Sequence, residues 1–134
     1  MALRSGLMDG SPSFDWSIVR DESAGNDQWR CDLRIEVVNR TQAETYSAFK
    51  AAVNTFSAAQ TVNPERVMKA SANSIRHVAR FAWLTLNFST DGSTGAVVVD
   101  ASVWSSSMIG LARGTAHRCV KRLIEALPDA LSAD

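Results

Sequence analysis

A chain of 134 residues, 46% hydrophobic and 21% charged, has the size and balance of one globular domain with a core of its own. Fourteen Lys and Arg offset fourteen Asp and Glu, which excludes a surface coated in positive charge, so nucleic acid is not an expected partner. No stretch approaches the roughly 18 apolar residues of a membrane span, and Met1 to Ser13 lacks the apolar centre of a signal peptide; the expectation is a soluble, cytoplasmic protein with no membrane partner.

Residues 1–12 read as a flexible arm rich in Gly, Ser and small side chains, residues 13–128 as a single domain, and residues 129–134 as a tail. Phe14, Trp16 and Ile18 alternate with Asp15 and Ser17, which predicts a short strand ending at Val19. Asp21 to Asp27 reads as a polar loop. Trp29 to Val37 then alternates cleanly, with Trp29, Cys31, Leu33, Ile35 and Val37 on one face and Arg30, Asp32, Arg34 and Glu36 on the other, as expected of an antiparallel strand with one wet face.

Thr41-Gln42-Ala43-Glu44 is a capping box, so a helix is expected from Gln42, with Tyr46, Phe49, Val53 and Phe56 as its apolar stripe and Ser47, Lys50 and Asn54 facing water. A short strand follows over residues 67–72. The run from Ile75 is too long and mixed for one flat strand: Arg76, Val78 and Arg80 share the face that later becomes core, which a bulge or register change near Arg80 would reconcile, or else an edge position that lets the arginines bend out to solvent.

Two β-rich runs flank Asp91-Gly92-Ser93-Thr94-Gly95, in which Asp91, Gly92 and Gly95 can supply the left-handed backbone of a hairpin loop. Putting Leu84, Leu86 and Phe88 on the same face as Val97, Val99 and Ala101 pairs Phe88 with Val97, Leu86 with Val99 and Leu84 with Ala101. The opposite face then gathers Phe81, Trp83 and Trp104, with Phe81 across from Trp104. A second helix is expected from Thr115 to Leu127, striped by Ala116, Val120, Leu123 and Leu127 and stopped by Pro128.

The order strand, strand, helix, strand, strand, strand, helix lacks βαβ alternation. It gives an α+β fold: an antiparallel sheet of about five strands with both helices on one face. The segment Arg113-Gly114-Thr115-Ala116-His117-Arg118-Cys119-Val120-Lys121-Arg122-Leu123, following a Val-rich strand and a Ser-rich loop, resembles the ending of small bacterial sheet-and-helix domains of unknown function. That resemblance implies a helix-on-curved-sheet domain and no activity.

The catalytic inventory is small. His77 and His117 are the two histidines. There is no Gly-x-Ser-x-Gly elbow, no phosphate-binding Gly-rich loop and no dinucleotide fingerprint. Cys119 follows His117 by two positions on a helix, a spacing that points the two side chains apart. Cys31 and Cys119 have neither Cys-x-x-Cys nor paired-His spacing around them, so neither a metal nor a cofactor is expected, and two reduced thiols are.

Two surfaces stand out. Phe81, Trp83 and Trp104 form an aromatic patch with no obvious cover, a candidate interface for a second copy or another partner. Arg113, His117 and Arg118 crowd a helix N-terminus, where the macrodipole already disfavours positive charge; with the amides near Gly114 and Thr115 they make a candidate anion-binding site. The expected function is a non-catalytic interaction module that self-associates through the aromatic face. The alternatives are a carrier of a small hydrophobic ligand between sheet and helices, and an anion or nucleic-acid binder acting through the second helix.

Overall fold

Alternating strands need neighbours to pair with and a cover on their apolar face, and a single sheet under two helices supplies both. The computed structural model describes residues 11–25, 27–58, 67–71, 73–78, 82–106 and 111–132. Six strands form one sheet: β1 (Ser13–Gly25), β2 (Gln28–Val38), β3 (Val67–Ser71), β4 (Ser74–Val78), β5 (Ala82–Thr90) and β6 (Val97–Ser106). Their spatial order is β1-β2-β6-β5-β4-β3, with every neighbouring pair antiparallel. Helices α1 (Gln42–Ala58) and α2 (Ala112–Ser132) pack on one face of the sheet. The fold is thus the α+β arrangement expected, an antiparallel sheet carrying two helices.

The sixth strand arises because the run from Ile75 is two strands, β4 and β5, which pair with each other; Ile75 faces Leu86 and His77 faces Leu84. Reversal between them corrects the expected facing: Ile75 and His77 are buried, whereas Arg76 is exposed. Arg80 lies outside the described residues.

The core is a layer of aliphatic side chains under two helix stripes. Leu33, Ile35, Leu84, Leu86, Val99 and Ala101 from the sheet, and Phe49, Val53, Ala116, Leu123 and Leu127 from the helices, are each at most 2% exposed. Phe49 and Tyr46 meet Phe88 edge-on, with centroids 5.4 and 5.2 Å apart. Ser47, Lys50 and Asn54 face water as expected, while the side chain of Phe56 is outside the described residues.

Helix α1 begins at the capping box. The Glu44 amide donates to Thr41 Oγ1 at 3.1 Å and the Thr41 amide to Glu44 Oε1 at 2.8 Å. Those hydrogen bonds with Thr41 hold the exposed Glu44 carboxyl below its ordinary pKa of 4.5. Helix α2 is longer at both ends than the sequence suggests. It starts at Ala112 rather than Thr115 and continues through Pro128 to Ser132, because Leu131 is buried in the same stripe as Leu127. The expected tail at residues 129–134 is therefore helical as far as Ser132.

The β5–β6 hairpin keeps its expected faces but slips by two residues. Phe88 pairs with Val99, Leu86 with Ala101 and Leu84 with Val103. The loop is tighter than expected: Thr90 pairs with Val97, and the Asp91 amide donates to the Ala96 carbonyl at 2.8 Å. Among the loop residues, Gly95 takes a left-handed φ of 76° and Gly92 does not. Asp91 acts instead through its carboxylate, which accepts from the Ser93 amide and hydroxyl at 2.8 and 2.7 Å.

Strand β1 also exceeds its expected span. Residues 21–25 continue the ladder instead of forming a loop, and the turn falls between Gly25 (φ 136°) and Gln28, with Asp27 at φ 55°. A bulge at Val19, between Ile18↔Leu33 and Arg20↔Asp32, changes which side chains face the helices.

Candidate functional site

The bulge at Val19 builds the most chemically concentrated part of the molecule. Up to Ile18, even-numbered residues of β1 face the helices. After Val19 the parity reverses, so Asp21 pairs with Cys31 on the helix-facing side. There Asp21 meets the first turns of α2. His117 Nε2 lies 2.9 and 3.0 Å from the two Asp21 carboxylate oxygens, and the Trp29 indole N–H donates to Asp21 Oδ1. The Trp29 and His117 rings stand edge-on at 6.5 Å, and the Arg113 guanidinium lies 5.5 Å from the centre of the Trp29 ring.

Partial burial pushes the Asp21 carboxyl upward, but hydrogen bonds from His117 and Trp29 and the charges of His117 and Arg113 outweigh it. The net position is below the ordinary 3.8. Cys31 completes the group beneath: its thiol and the ligating atoms of Asp21 and His117 all lie within 4.8 Å of one another.

A Cys–His–Asp set invites comparison with a nucleophilic triad, and two facts argue against that chemistry. Cys31 is fully buried, out of reach of a substrate. Burial, together with the Asp21 and Asp32 carboxylates, pushes its thiol up to about 11, far from the thiolate a nucleophile requires. Cys119 is likewise pushed up to about 11 by burial.

The anion-site candidates are dispersed over the first turns of α2. Arg113 is engaged on Trp29, His117 on Asp21, and Arg118 donates to the Thr115 hydroxyl at 3.3 Å. Thr115 Oγ1 in turn donates to the Leu111 carbonyl at 3.1 Å. The cationic crowding inferred from sequence thus has a negative group beside it from the same chain, Asp21. The Gly114 Cα is open except for the Arg118 side chain, 3.6 Å from where a Cβ would stand.

On the opposite sheet face, Trp83 pairs directly with Trp104, correcting the expected Phe81 pairing by the same two-residue slip. Phe81 lies outside the described residues. The two indoles stack with centroids 6.5 Å apart and planes 3° from parallel. The Arg30 guanidinium sits 4.9 Å from the Trp104 ring and is ion-paired to Asp32 at 2.9 Å. Asp32 also accepts from Ser102 at 2.8 Å. Both tryptophans are half-buried.

The larger exposed apolar surface lies outside both of the surfaces that the sequence points to. Strand β1 is an edge of the sheet, and Trp16, Ile18 and Val19 on it are 43%, 50% and 67% exposed. The alternation of Trp16 and Ile18 is plain in the sequence, but nothing local shows that they stay exposed. Among the described residues no helix is long and apolar enough to cross a membrane. No family model matches the chain, and no curated protein is similar to it.

Proposed function

We propose that this protein is a non-catalytic interaction module that self-associates through its sheet, with the β1 edge as the contact. The observation that carries the reading is the exposed row Trp16, Ile18 and Val19 on an edge strand. Edge strands carry unpaired backbone donors and acceptors and are ordinarily blunted by charges or bulges. Here the bulge comes only at Val19, leaving the stretch from Ser13 to Ile18 regular.

That stretch is self-complementary. A two-fold axis through Ser17 sets Trp16 of one copy across from Ile18 of the other on the helix-side face. It also brings Asp15 of each copy alongside Arg20 of the other across the bulge, opposite charges on the far face. Covering side chains that are about half exposed recovers on the order of half the ~1.5–3 kcal/mol that full burial of each supplies.

A second reading, self-association through the outer face, is favoured by the half-buried Trp83–Trp104 stack on the sheet face away from the helices. The carrier reading has less support, since the sheet–helix interior is filled by Phe49, Leu33, Leu123 and their neighbours. Sedimentation velocity over a concentration series tests the proposal. The expected result is a dimer at micromolar concentration that becomes a folded monomer on Trp16→Ser with Ile18→Thr. A parent chain that stays monomeric at high micromolar concentration overturns it.

A further inference from the structure

We propose that Asp21, Cys31 and His117 form a binding site for a single divalent transition-metal ion of the zinc class, fastening the β1–β2 edge to helix α2. One carboxylate, one thiol and one imidazole from three different elements place their ligating atoms within 4.8 Å of one another. Zinc accepts all three ligand types in a tetrahedral shell with bonds of about 2.0–2.3 Å, which sets neighbouring ligand atoms about 3.5 Å apart. The His117–Asp21 separation of 2.9 to 3.0 Å lies below that spacing and the 4.8 Å limit of the set above it, so the three atoms bracket the tetrahedral distance.

The donor set selects the ion. Magnesium and calcium want oxygen ligands in larger numbers, whereas a sulfur and a nitrogen beside one carboxylate suit a borderline-soft ion. Cys31 is 0% exposed, so the thiol lies at the inner side of the set, beside a carboxylate and an imidazole that are paired with each other.

The surroundings fit a metal site. Trp29 donates its indole N–H to Asp21 Oδ1, the kind of outer contact that orients a ligating carboxylate. With thiolate and carboxylate both negative, a divalent ion brings the site to neutrality, so Arg113 on the Trp29 ring does not face a net positive centre. On binding, the thiol proton leaves to solvent and the sulfur lone pair takes its place on the metal. The His117 and Asp21 side chains are 39% and 24% exposed, so the fourth position opens to water on that side.

This inference is independent of the self-association reading. Its test is titration of the chelator-treated full chain with cobalt chloride. The expected result is one equivalent bound, with sulfur-to-cobalt charge-transfer absorption and the intense visible bands of a tetrahedral ion, both abolished by competing zinc. Cys31→Ser should lose the charge-transfer absorption. His117→Gln, a change at a partly exposed position, should stay folded by circular dichroism and lose at least ~10-fold in zinc affinity, since even outer contacts cost about 10–100-fold. Cys119→Ser should bind as the parent does. The assignment is overturned by a folded parent that shows no charge-transfer band. It is equally overturned if His117→Gln titrates like the parent, or if the band survives Cys31→Ser and disappears in Cys119→Ser.

Discussion

At the scale of single residues, helix α1 sets a polar atom with nothing to satisfy it one turn away from a reciprocal pair that is fully satisfied. Thr45 is fully buried and its Oγ1 has no partner among the described residues. A buried hydroxyl without a hydrogen bond has given up its water for nothing, a loss of ~1–3 kcal/mol. Valine has nearly the same shape without the oxygen, so Thr45→Val should stabilise the fold by about that amount. The expected signature is a higher urea midpoint at unchanged slope; an unchanged midpoint would show that the hydroxyl finds a partner in solution. Thr41 and Glu44, by contrast, are legible in the sequence itself, because both of their bonds connect residues three apart and need only the first helical turn. Asp21 and His117 are not legible there. They are 96 positions apart, and their meeting depends on one extra residue, Val19, in a strand that reads as a loop beyond it. Asp21 to Asp27 has the composition of a loop, and pairing along β2 overrides that local preference.

Among the elements, the apolar stripes of both helices and the face assignment of β5 and β6 follow from periodicity alone, and they hold for the described side chains, Phe56 and Phe81 lying outside these. Register and length do not follow from periodicity. A two-residue slip leaves every side chain on its own face, so the pattern in Leu84, Leu86 and Phe88 cannot separate the observed pairing from the expected one. What decides it is the Asp91 carboxylate turning the loop back early. Helix α2 presents the opposite conflict. Pro128 lacks the N–H that would bond to the Ile124 carbonyl and ordinarily costs ~3 kcal/mol inside a helix. The helix nevertheless continues to Ser132, with Leu131 3% exposed; burial of that leucine offsets part of the backbone loss. Because the Pro128 side chain itself is exposed, Pro128→Ala should raise stability by as much as ~3 kcal/mol without disturbing the core. Thermal or urea unfolding would check this, and a loss of stability would mean that the proline ring sets the course of the last turn.

For the molecule as a whole, two apolar surfaces compete for the role of interface, and they differ in how far the chain has already satisfied them. Trp83 and Trp104 stack on each other, and Arg30 lies against Trp104, so the three side chains form a row across β2, β6 and β5. Such a row serves the sheet itself: aromatic pairing contributes ~0.5–1.5 kcal/mol beyond area, and a cation over an exposed ring ~0.5–1 kcal/mol. Trp16, Ile18 and Val19 have no comparable arrangement among the described residues, and they sit on the edge strand of the sheet. The two surfaces therefore separate by mutation. Trp83→Ser with Trp104→Ser should lower the melting temperature, through loss of the stack and of the Arg30 contact, while the protein still sediments as the parent does. Trp16→Ser with Ile18→Thr should do the reverse, giving a monomer whose far-ultraviolet circular dichroism matches the parent, and whose melting temperature no longer rises with protein concentration. A monomeric, well-folded Trp83/Trp104 double variant would move the interface to the outer face and leave the β1 edge to some other cover.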